Sequence, residues 1–269
     1  MEKDNEKYKS NPYNDKNILI QDTNIINIMS KLNINDVSIN NINYYQRAFS
    51  HISYCKLDEY SKYKNCNNSI ELRDSSYETL EFLGDSILGS IISEYLYERY
   101  YVLYNQNEGF LTKMKNKIVN GDTLSTLSSL LEFNKFIIIS NHIEVNSTRN
   151  NVKRILEDLF DAFIGALYLD TKDYYLVKRF IISIIEKYID FSDLIINDTN
   201  YKDQLLRYFQ NNYKEYPIYN TFTDKSNKNM FTSKVFHNDK YISTGNGETK
   251  KKSEQDASKN ALIHFGLLN

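Results

Sequence analysis

Glycine and proline are scarce in this chain, with 8 Gly and 2 Pro among 269 residues. Sandwiches, barrels and propellers need many tight turns, and tight turns depend largely on these two residues. The scarcity therefore argues against turn-rich β architectures. It favours a mainly helical protein of one or two domains.

Cysteine is also scarce, and tryptophan is absent. Two residues, Cys55 and Cys66, are too few for a disulfide framework. Their spacing, with His51 included, fits no zinc pattern, so reduced thiols in an intracellular protein are the better interpretation. The charged N-terminus has no apolar run after it, and no stretch reaches the ~18 apolar residues of a membrane span. We therefore expect no secretory signal and no membrane association.

Charge is unevenly distributed, although the net charge is only −2. Residues 200–269 carry 11 Lys and Arg against 7 Asp and Glu, a balance of +4. The remainder carries 22 basic and 28 acidic residues, a balance of −6. An acidic body followed by a basic region predicts two parts with different roles.

Hydrophobic periodicity divides the chain in the same way. Apolar residues recur at helical spacing up to about residue 190, whereas alternation typical of strands begins near residue 217. We predict a disordered polar tail at 1–17, a helical domain at 18–190, a linker at 191–199 and an α-β-β-β-α domain at 200–268. The predicted helices are 18–32, 44–54, 77–101, 110–131, 151–169, 174–188, 202–211 and 249–262, the strands are 217–223, 231–237 and 240–244, and 56–76 and 141–150 are predicted loops.

Three carboxylates share one face of the predicted helix 77–101. Glu78, Glu81 and Asp85 are spaced i, i+3 and i+7, within an arc of ~60° at ~100° per residue. They repel each other, and no basic residue at the neighbouring turns relieves this. The opposite, apolar face carries Leu80, Leu83 and Ile87.

A second acidic pair, Asp158 and Asp161, is spaced i, i+3 in the predicted helix 151–169. Apolar residues on its other side predict that this helix is buried. If the two acidic helices pack together, four or five carboxylates converge, and a divalent cation would neutralise them. Oxygen ligands without His or Cys favour Mg²⁺ or Mn²⁺. The alternative is that both acidic faces are simply solvated.

The string Glu-x-Leu-Glu-Phe-Leu-Gly-Asp at 78–85 resembles the signature of the ribonuclease III family. The resemblance extends over about 18–268 and includes further motifs in the same order. The segments 48–54, 108–112 and 158–170 are similar to nuclease motifs of the family, and 245–262 is similar to the end of a double-stranded-RNA-binding domain.

This resemblance implies an all-helical nuclease domain at 18–190 followed by a small α-β-β-β-α double-stranded-RNA-binding domain, so that the fold class is mainly α. It implies an endonuclease that cleaves double-stranded RNA and leaves 5′-phosphate and 3′-hydroxyl ends. Two metal ions about 4 Å apart can hydrolyse a phosphodiester without a protein base. Mg²⁺ is the expected cofactor, with Mn²⁺ as the second candidate.

The resemblance also assigns residues. Four acidic residues match the family's metal ligands, and two more match acidic residues of the cleft at the dimer, where they would place the substrate. We therefore predict six catalytic residues: the metal ligands Glu81, Asp85, Asp158 and Asp161, together with Glu78 and Glu108.

Phe82 matches an aromatic residue that fills a pocket on the partner subunit. One nuclease unit cuts one strand of a duplex, so a two-fold homodimer is the simple arrangement for cutting both. Ordinary core packing is the alternative for Phe82.

The last predicted helix begins with three lysines, after a Gly-x-Gly sequence. A helix N-terminus combined with Lys side chains is a phosphate-binding arrangement. We therefore predict RNA binding by Lys250, Lys251 and Lys252, with Gly245 and Gly247 preceding them. Near the second acidic pair, Lys153 and Arg154 would either hold the RNA backbone or belong to an ordinary surface.

Several positions depart from the family pattern. Asp161 stands where the family has Glu, and the shorter carboxylate predicts weaker use of Mg²⁺ and relatively better use of Mn²⁺. Leu206 and Arg207 replace the Gln and Glu that usually contact the minor groove. In the loop before Phe231 the family's Gly-Pro-x-His is missing, with Asp224, Lys225 and Asn227 in those places. We expect weaker, more electrostatic RNA binding.

Two other functions remain open. A weakly active or non-cleaving protein that binds or sequesters double-stranded RNA would keep the fold while Asp161 weakens catalysis. A helical DNA-binding or scaffold protein would require the motif string to be a coincidence.

Overall fold

The structure is a computed structural model that describes residues 10–65, 68–147, 149, 152–196, 200–223 and 230–268. The chain divides into two compact units, Met1–Phe191 and Ser192–Asn269. The first is helical and the second combines helices with a small antiparallel sheet. The predicted mainly α fold class is therefore confirmed. No helix within the described residues combines the length and apolar character of a membrane span.

The first unit consists of helices joined by irregular segments, of which the one between residues 48 and 78 is long. A π-helical turn, Tyr97–Val102, continues the third helix, and single 3₁₀ turns occur at Ile52–Tyr54, Asp58–Tyr60 and Phe133–Lys135. The α-helices are α1 (Asp22–Ser30), α2 (Ile42–Ala48), α3 (Glu78–Leu96), α4 (Glu108–Ile118), α5 (Gly121–Leu130), α6 (Asn141–Ser147), α7 (Lys153–Thr171) and α8 (Tyr174–Tyr188), followed by α9 (Phe191–Ile196) at the boundary between the units.

An aromatic cluster around Phe163 of α7 forms part of the core of the first unit. The rings of Tyr45, Phe49, Phe133 and Phe180 lie with their centroids 4.9–6.3 Å from the Phe163 ring, in tilted or edge-on orientations. All five side chains are fully buried. This packing anchors one side of α7 and leaves its acidic side free to form a site.

The predicted helix 110–131 is in fact two helices, α4 and α5. Asn120 has an extended backbone, and its side chain accepts a hydrogen bond from the Thr123 amide at 2.9 Å. Asn at this position is an N-cap, which starts a new helix and breaks the helical pattern.

The predicted loop 141–150 contains a helix, α6, so that prediction was wrong. Glu144 of α6 is buried and forms an ion pair with Arg149 at 2.8 Å. The Asn14 side chain donates to the same carboxylate at 3.0 Å. A buried polar network therefore holds α6, and it leaves no apolar periodicity in the sequence.

Residues 10–17 also differ from the disordered tail predicted at 1–17. Asn14 and Asn17 are buried, and both side-chain amides donate to the Ile139 carbonyl oxygen, at 3.1 and 3.0 Å. These hydrogen bonds hold residues 10–17 against the first unit, although the segment is mostly polar. Residues 1–9 lie outside the described residues.

The described residues of the predicted loop 56–76, which are 56–65 and 68–76, are irregular, as predicted, apart from one 3₁₀ turn. Cys55 and Arg73 pair at its base as an isolated β-bridge, and the Tyr54 hydroxyl donates to the Ile70 carbonyl oxygen at 2.6 Å. The predicted linker 191–199 includes α9, whereas 197–199 lie outside the described residues.

The second unit has the predicted α-β-β-β-α order. The antiparallel sheet has the order β1-β2-β3, and Tyr219 pairs with Val235, which pairs with Ser243. Val235 faces the two helices and is fully buried with Leu205, Phe209, Ala257, Ala261 and Leu262. The elements are α10 (Tyr201–Tyr213), β1 (Ile218–Thr223), β2 (Phe231–His237), β3 (Lys240–Gly247) and α11 (Lys250–His264).

Candidate functional site

The two acidic helices, α3 and α7, pack directly against each other. Gly84 of α3 has no side chain, and a Cβ there would lie 1.7 Å from the Asp161 carbonyl oxygen. Gly165 of α7 is equally close to α3, because a Cβ there would lie 2.2 Å from the Leu80 carbonyl oxygen. The helix backbones are thus in contact, and the acidic residues that flank this contact come close together.

Carboxylates from both helices form one electrostatic cluster, as expected for the case in which the two acidic helices pack together. Glu81 of α3 is half-buried and interacts with Asp158 of α7, and buried Asp161 interacts with Asp85 and Glu81. Glu157, to which we assigned no role from the sequence, is half-buried and joins the cluster through Asp158.

Burial and mutual repulsion raise pKa values in this cluster. Burial, followed by the charges of Asp85 and Glu81, raises the pKa of Asp161 to about 8. Burial, followed by the charge of Asp158, also raises the pKa of Glu81. The pKa of Asp158 is raised by burial, although a hydrogen bond from Tyr77 opposes this. Each of these carboxylates would be stabilised in its charged form by a nearby cation.

The Asp161 side chain provides the strongest indication of a bound cation. This residue is only 7% exposed, and its Oδ1 has no hydrogen-bond partner. A buried, unpaired carboxylate oxygen is costly, and a divalent cation would satisfy it. Glu81, Asp85 and Asp158 offer further oxygen ligands of the type that Mg²⁺ and Mn²⁺ prefer. The residues present therefore fit such an ion.

The acidic side chains of this cluster do not converge on one point in the structure. Among the described residues, no three His, Cys, Asp or Glu side chains are grouped closely enough to hold one ion in their present positions. Carboxylates of both helices could hold one ion only if these side chains came closer together.

A cleft of about 520 Å³ opens beside the acidic cluster. Two of the predicted metal ligands, Glu81 and Asp158, line it and are accessible to a molecule that enters. The full lining is His51, Ile52, Tyr77, Glu78, Glu81, Arg154, Ile155 and Asp158.

Tyr77 also lines this cleft and was not predicted from the sequence as a site residue. Its hydroxyl donates to Asp158 Oδ2 at 3.0 Å, and its buried ring lies 5.8 Å from the His51 ring. Tyr77 therefore fixes the position of the Asp158 carboxylate. Its place immediately before the acidic motif was the available signal.

Glu78 and Glu108 occupy different surroundings. Glu78 lines the cleft and accepts a hydrogen bond from Ser76 Oγ at 3.0 Å. Glu108 is exposed at the start of α4 and accepts a hydrogen bond from Thr112 Oγ1 at 2.7 Å. Within the described part of one chain, no hydrogen bond or ion pair joins Glu108 to the acidic cluster, so its role stays a prediction.

Phe82 is 78% exposed on α3. The core alternative for this residue is therefore wrong. An exposed aromatic side chain of this size is typical of a contact surface, and its role in a dimer stays a prediction.

In the second unit, the three predicted RNA-binding lysines lie exposed in the first turn of α11. Thr249 caps this helix by accepting a hydrogen bond from the Lys252 amide at 3.2 Å. Lys252 forms an ion pair with Glu248 at 3.0 Å, and Lys250 lies 4.0 Å from Glu254. The lysines are thus presented at a helix N-terminus, an arrangement that suits phosphate.

Close packing explains Gly245 and Gly247, which was not predicted from the sequence. Both lie within β3, and a Cβ would come within 2.0 Å of the Ala257 amide nitrogen at Gly245 and 2.5 Å of the Ser253 amide nitrogen at Gly247. They allow β3 to approach α11 closely. Any contact with RNA stays a prediction for them.

Of the two residues of α10 that differ from the family pattern, Leu206 and Arg207, the structure gives an account of Arg207. Arg207 forms an ion pair with Asp203, one turn earlier on α10. The predicted loop positions Asp224, Lys225 and Asn227 lie outside the described residues.

Comparisons with known proteins agree with both units. The model of the Ribonuclease III domain matches residues 78–172, and the model of the double-stranded RNA binding motif matches residues 201–264. These matches include the acidic cluster in the first unit and the three lysines in the second.

Curated relatives match most of the chain. A probable ribonuclease 3 of Acanthamoeba polyphaga mimivirus is 44% identical over 74% of this chain, which spans only 36% of that relative. A putative protein of Paramecium bursaria Chlorella virus 1 is 35% identical, over 78% of this chain and 75% of that protein. Ribonuclease 3 of Borreliella afzelii is 32% identical, over 84% of this chain and 86% of that protein. The chain therefore belongs to the ribonuclease III family of endoribonucleases and carries a double-stranded-RNA-binding domain.

Proposed function

We propose that this protein is a metal-dependent endonuclease that hydrolyses phosphodiester bonds in double-stranded RNA. The observation that carries the proposal is the buried, unpaired Oδ1 of Asp161 within an acidic cluster beside an open cleft. Membership of the ribonuclease III family supports the same activity.

The metal ligands in this proposal are Glu81, Asp85, Asp158 and Asp161. Bound Mg²⁺ or Mn²⁺ would neutralise the scissile phosphate, activate the attacking water and stabilise the leaving oxygen, and two such ions serve all three purposes. The hydroxyl of Tyr77 holds Asp158 in one orientation, and burial removes the water that would otherwise solvate Asp161. These residues thus prepare an oxygen-lined, negatively charged site.

The reaction is the addition of water across a phosphodiester bond. Oxygen of the water becomes bonded to phosphorus, the bond from phosphorus to the 3′ oxygen breaks, and the 3′ oxygen takes up a proton. The expected ends are a 5′-phosphate and a 3′-hydroxyl, as the family resemblance implies.

A homodimer completes the proposal. Each chain carries one nuclease unit, whereas a duplex has two strands, so two copies related by a two-fold axis would supply one site for each strand. The exposed ring of Phe82 is the proposed contact with the partner. Glu78 and Glu108 would place the substrate in the cleft between the two copies.

The second unit is proposed to hold the duplex. Lys250, Lys251 and Lys252 at the start of α11 would contact phosphates, and domains of this type recognise the shape of A-form RNA across successive minor grooves. Arg207, held by Asp203, does not supply the acidic or amide contact usual on the first helix. Binding should therefore be mainly electrostatic and strongly dependent on salt.

The test is to incubate the purified chain with long duplex RNA and either Mg²⁺ or Mn²⁺. We expect shorter duplexes with 5′-phosphate ends, and no products in EDTA. Asp85→Asn and Asp158→Asn should abolish cleavage while leaving binding to RNA intact. Single-stranded RNA and duplex DNA of the same sequence are the control substrates.

The competing function is a protein that binds or sequesters double-stranded RNA without cutting it. Asp161 favours this candidate, because its shorter carboxylate lies buried and its raised pKa opposes ionisation. Duplex RNA that is bound tightly but remains intact in both metals would support this candidate and contradict the nuclease.

A further inference from the structure

Arg154 lies at the rim of the acidic cleft. It is the second residue of α7 and is exposed, and it lines the cleft together with Glu78, Glu81 and Asp158. Residues four apart on a helix share a face, so Arg154 lies one turn before Asp158 on the cleft side of α7.

The Arg154 guanidinium is available to bind a ligand. Within the part of the chain that the structure describes, it has no hydrogen bond and no ion pair. Its neighbour Lys153 differs, because its Nζ lies 3.4 Å from Asp122 Oδ1 in an ion pair. The two cations that precede the acidic pair therefore have different surroundings.

A phosphate that enters this cleft meets three carboxylates in its lining, those of Glu78, Glu81 and Asp158. Among the described residues that line the cleft, Arg154 is the only Lys or Arg. Its charge acts on Glu81 and Asp158, where it lowers their pKa values against the effect of burial. The guanidinium is thus close enough to offset the negative potential that would repel an RNA strand.

We propose that Arg154 binds a backbone phosphate of the RNA strand being cut, next to the phosphate that is hydrolysed. The proposal rests on the nuclease function proposed above and adds a substrate contact to it. A guanidinium suits this contact because its fork of N–H groups can donate two parallel hydrogen bonds to one phosphate. The same position near the N-terminus of α7 adds a favourable helix dipole.

The experiment compares Arg154→Gln with wild type in single-turnover cleavage of a defined duplex in Mg²⁺. Loss of a charge-assisted contact should raise the half-saturating enzyme concentration about tenfold and change the maximal rate less than about twofold. Arg154→Lys should recover part of the affinity, because charge remains but the paired hydrogen bonds are lost. Lys153→Gln is the matched control, with the same loss of charge one residue away, and should behave as wild type.

A binding measurement separates this proposal from the nuclease function. Duplex affinity is measured in Mg²⁺ at several salt concentrations in an Asp85→Asn background, where cleavage is not required. Arg154→Gln should weaken binding and reduce the slope of log affinity against log salt by about 0.9. This arm tests Arg154 even if the wild-type chain proves not to cut.

The outcomes are distinct. Cleavage by the wild type with unchanged affinity and salt slope in Arg154→Gln would overturn the role of Arg154 and leave the nuclease standing. A fall in the maximal rate alone would also overturn it, since that result indicates damage to the acidic cluster. If the wild-type chain does not cleave duplex RNA but its binding depends on Arg154, the phosphate contact is supported and the proposed nuclease function is refuted.

Discussion

Gly84 of α3 faces Gly165 of α7 where the two helices cross, and a Cβ on Gly84 would lie 3.0 Å from the Gly165 amide nitrogen. The same Cβ would overlap the Asp161 carbonyl oxygen at 1.7 Å. Because Asp161 is also a proposed metal ligand, one backbone contact sets both the packing of the nuclease unit and the separation of its acidic helices.

Gly84→Ala should therefore disrupt this unit. The overlap is with backbone, which cannot rotate away, so we expect the free energy of unfolding to fall by at least about 3 kcal/mol. Urea denaturation followed by circular dichroism measures the change. Gly89→Ala on the same helix is the matched control, because a Cβ there meets only the flexible Lys115 side chain, with Nζ at 3.6 Å and Cε at 3.9 Å. The control should be neutral or stabilising by up to ~1 kcal/mol, and equal losses at both positions would contradict the crossing argument.

Tyr77→Phe should reduce the cleavage rate more than it reduces stability. Removal of the hydroxyl frees the Asp158 carboxylate, so we expect about a tenfold lower kcat and a stability loss of about 1 kcal/mol, the usual size for one hydrogen bond. Tyr54→Phe is the control, since its hydroxyl donates to the Ile70 carbonyl oxygen instead. A kcat for Tyr77→Phe that matches the control would show that this hydrogen bond does not position Asp158.

The sequence was sufficient to predict α3 and α7, and it predicted convergence of their carboxylates on the condition that the two helices pack together. Apolar residues at helical spacing mark the buried side of each helix, and the acidic spacing then places Glu81 and Asp158 on the other side. The break at Asn120 was also predictable in principle, because Asn is a strong N-cap. The apolar periodicity continues across Asn120, so periodicity alone predicted one helix over 110–131 where the structure has two.

Contacts between residues far apart in the chain were not predictable in this way. Asn14 donates to Glu144 of α6 across 130 residues, and Tyr77 donates to Asp158 across 81 residues. Such polar contacts leave no local pattern, because the two partners are far apart in the chain and no spacing or periodicity links them. The helix α6 and the support of Asp158 therefore had to come from the structure.

Asp161→Glu should improve the use of Mg²⁺. The added methylene carries the carboxylate further from α7, and we expect the ratio of the Mg²⁺ rate to the Mn²⁺ rate to rise. The buried position makes some strain unavoidable, with a stability loss of about 1–3 kcal/mol. Parallel cleavage assays in the two metals measure the ratio.

Asp158→Glu is the control for this change, because it lengthens the carboxylate that Tyr77 already holds and should lower the rate in both metals. Equal wild-type rates in Mg²⁺ and Mn²⁺, with no gain in Asp161→Glu, would refute the idea that the short side chain limits Mg²⁺ use.

Asp161 should also make the metal-free protein less stable as pH rises. Its pKa in the folded state, about 8, lies above the ordinary value of 3.8. A raised pKa means that the protonated carboxyl favours folding below about pH 4, and that this contribution is lost as the pH rises to about 8. Asp161→Asn is uncharged throughout, so in EDTA its Tm should exceed that of wild type by an amount that grows between pH 4 and pH 8. A gain of about 1 kcal/mol corresponds to roughly 2–4 °C for a domain of this size.

Mg²⁺ should reverse this difference, since a bound cation stabilises the charged carboxylate in wild type and has one ligand fewer in the variant. Asp15→Asn removes the same charge at an exposed position and should show no pH-dependent gain in Tm. A constant difference in Tm between wild type and Asp161→Asn across this range would show that Asp161 is ionised at little cost in the folded protein. In that case its unpaired oxygen would no longer point to a cation.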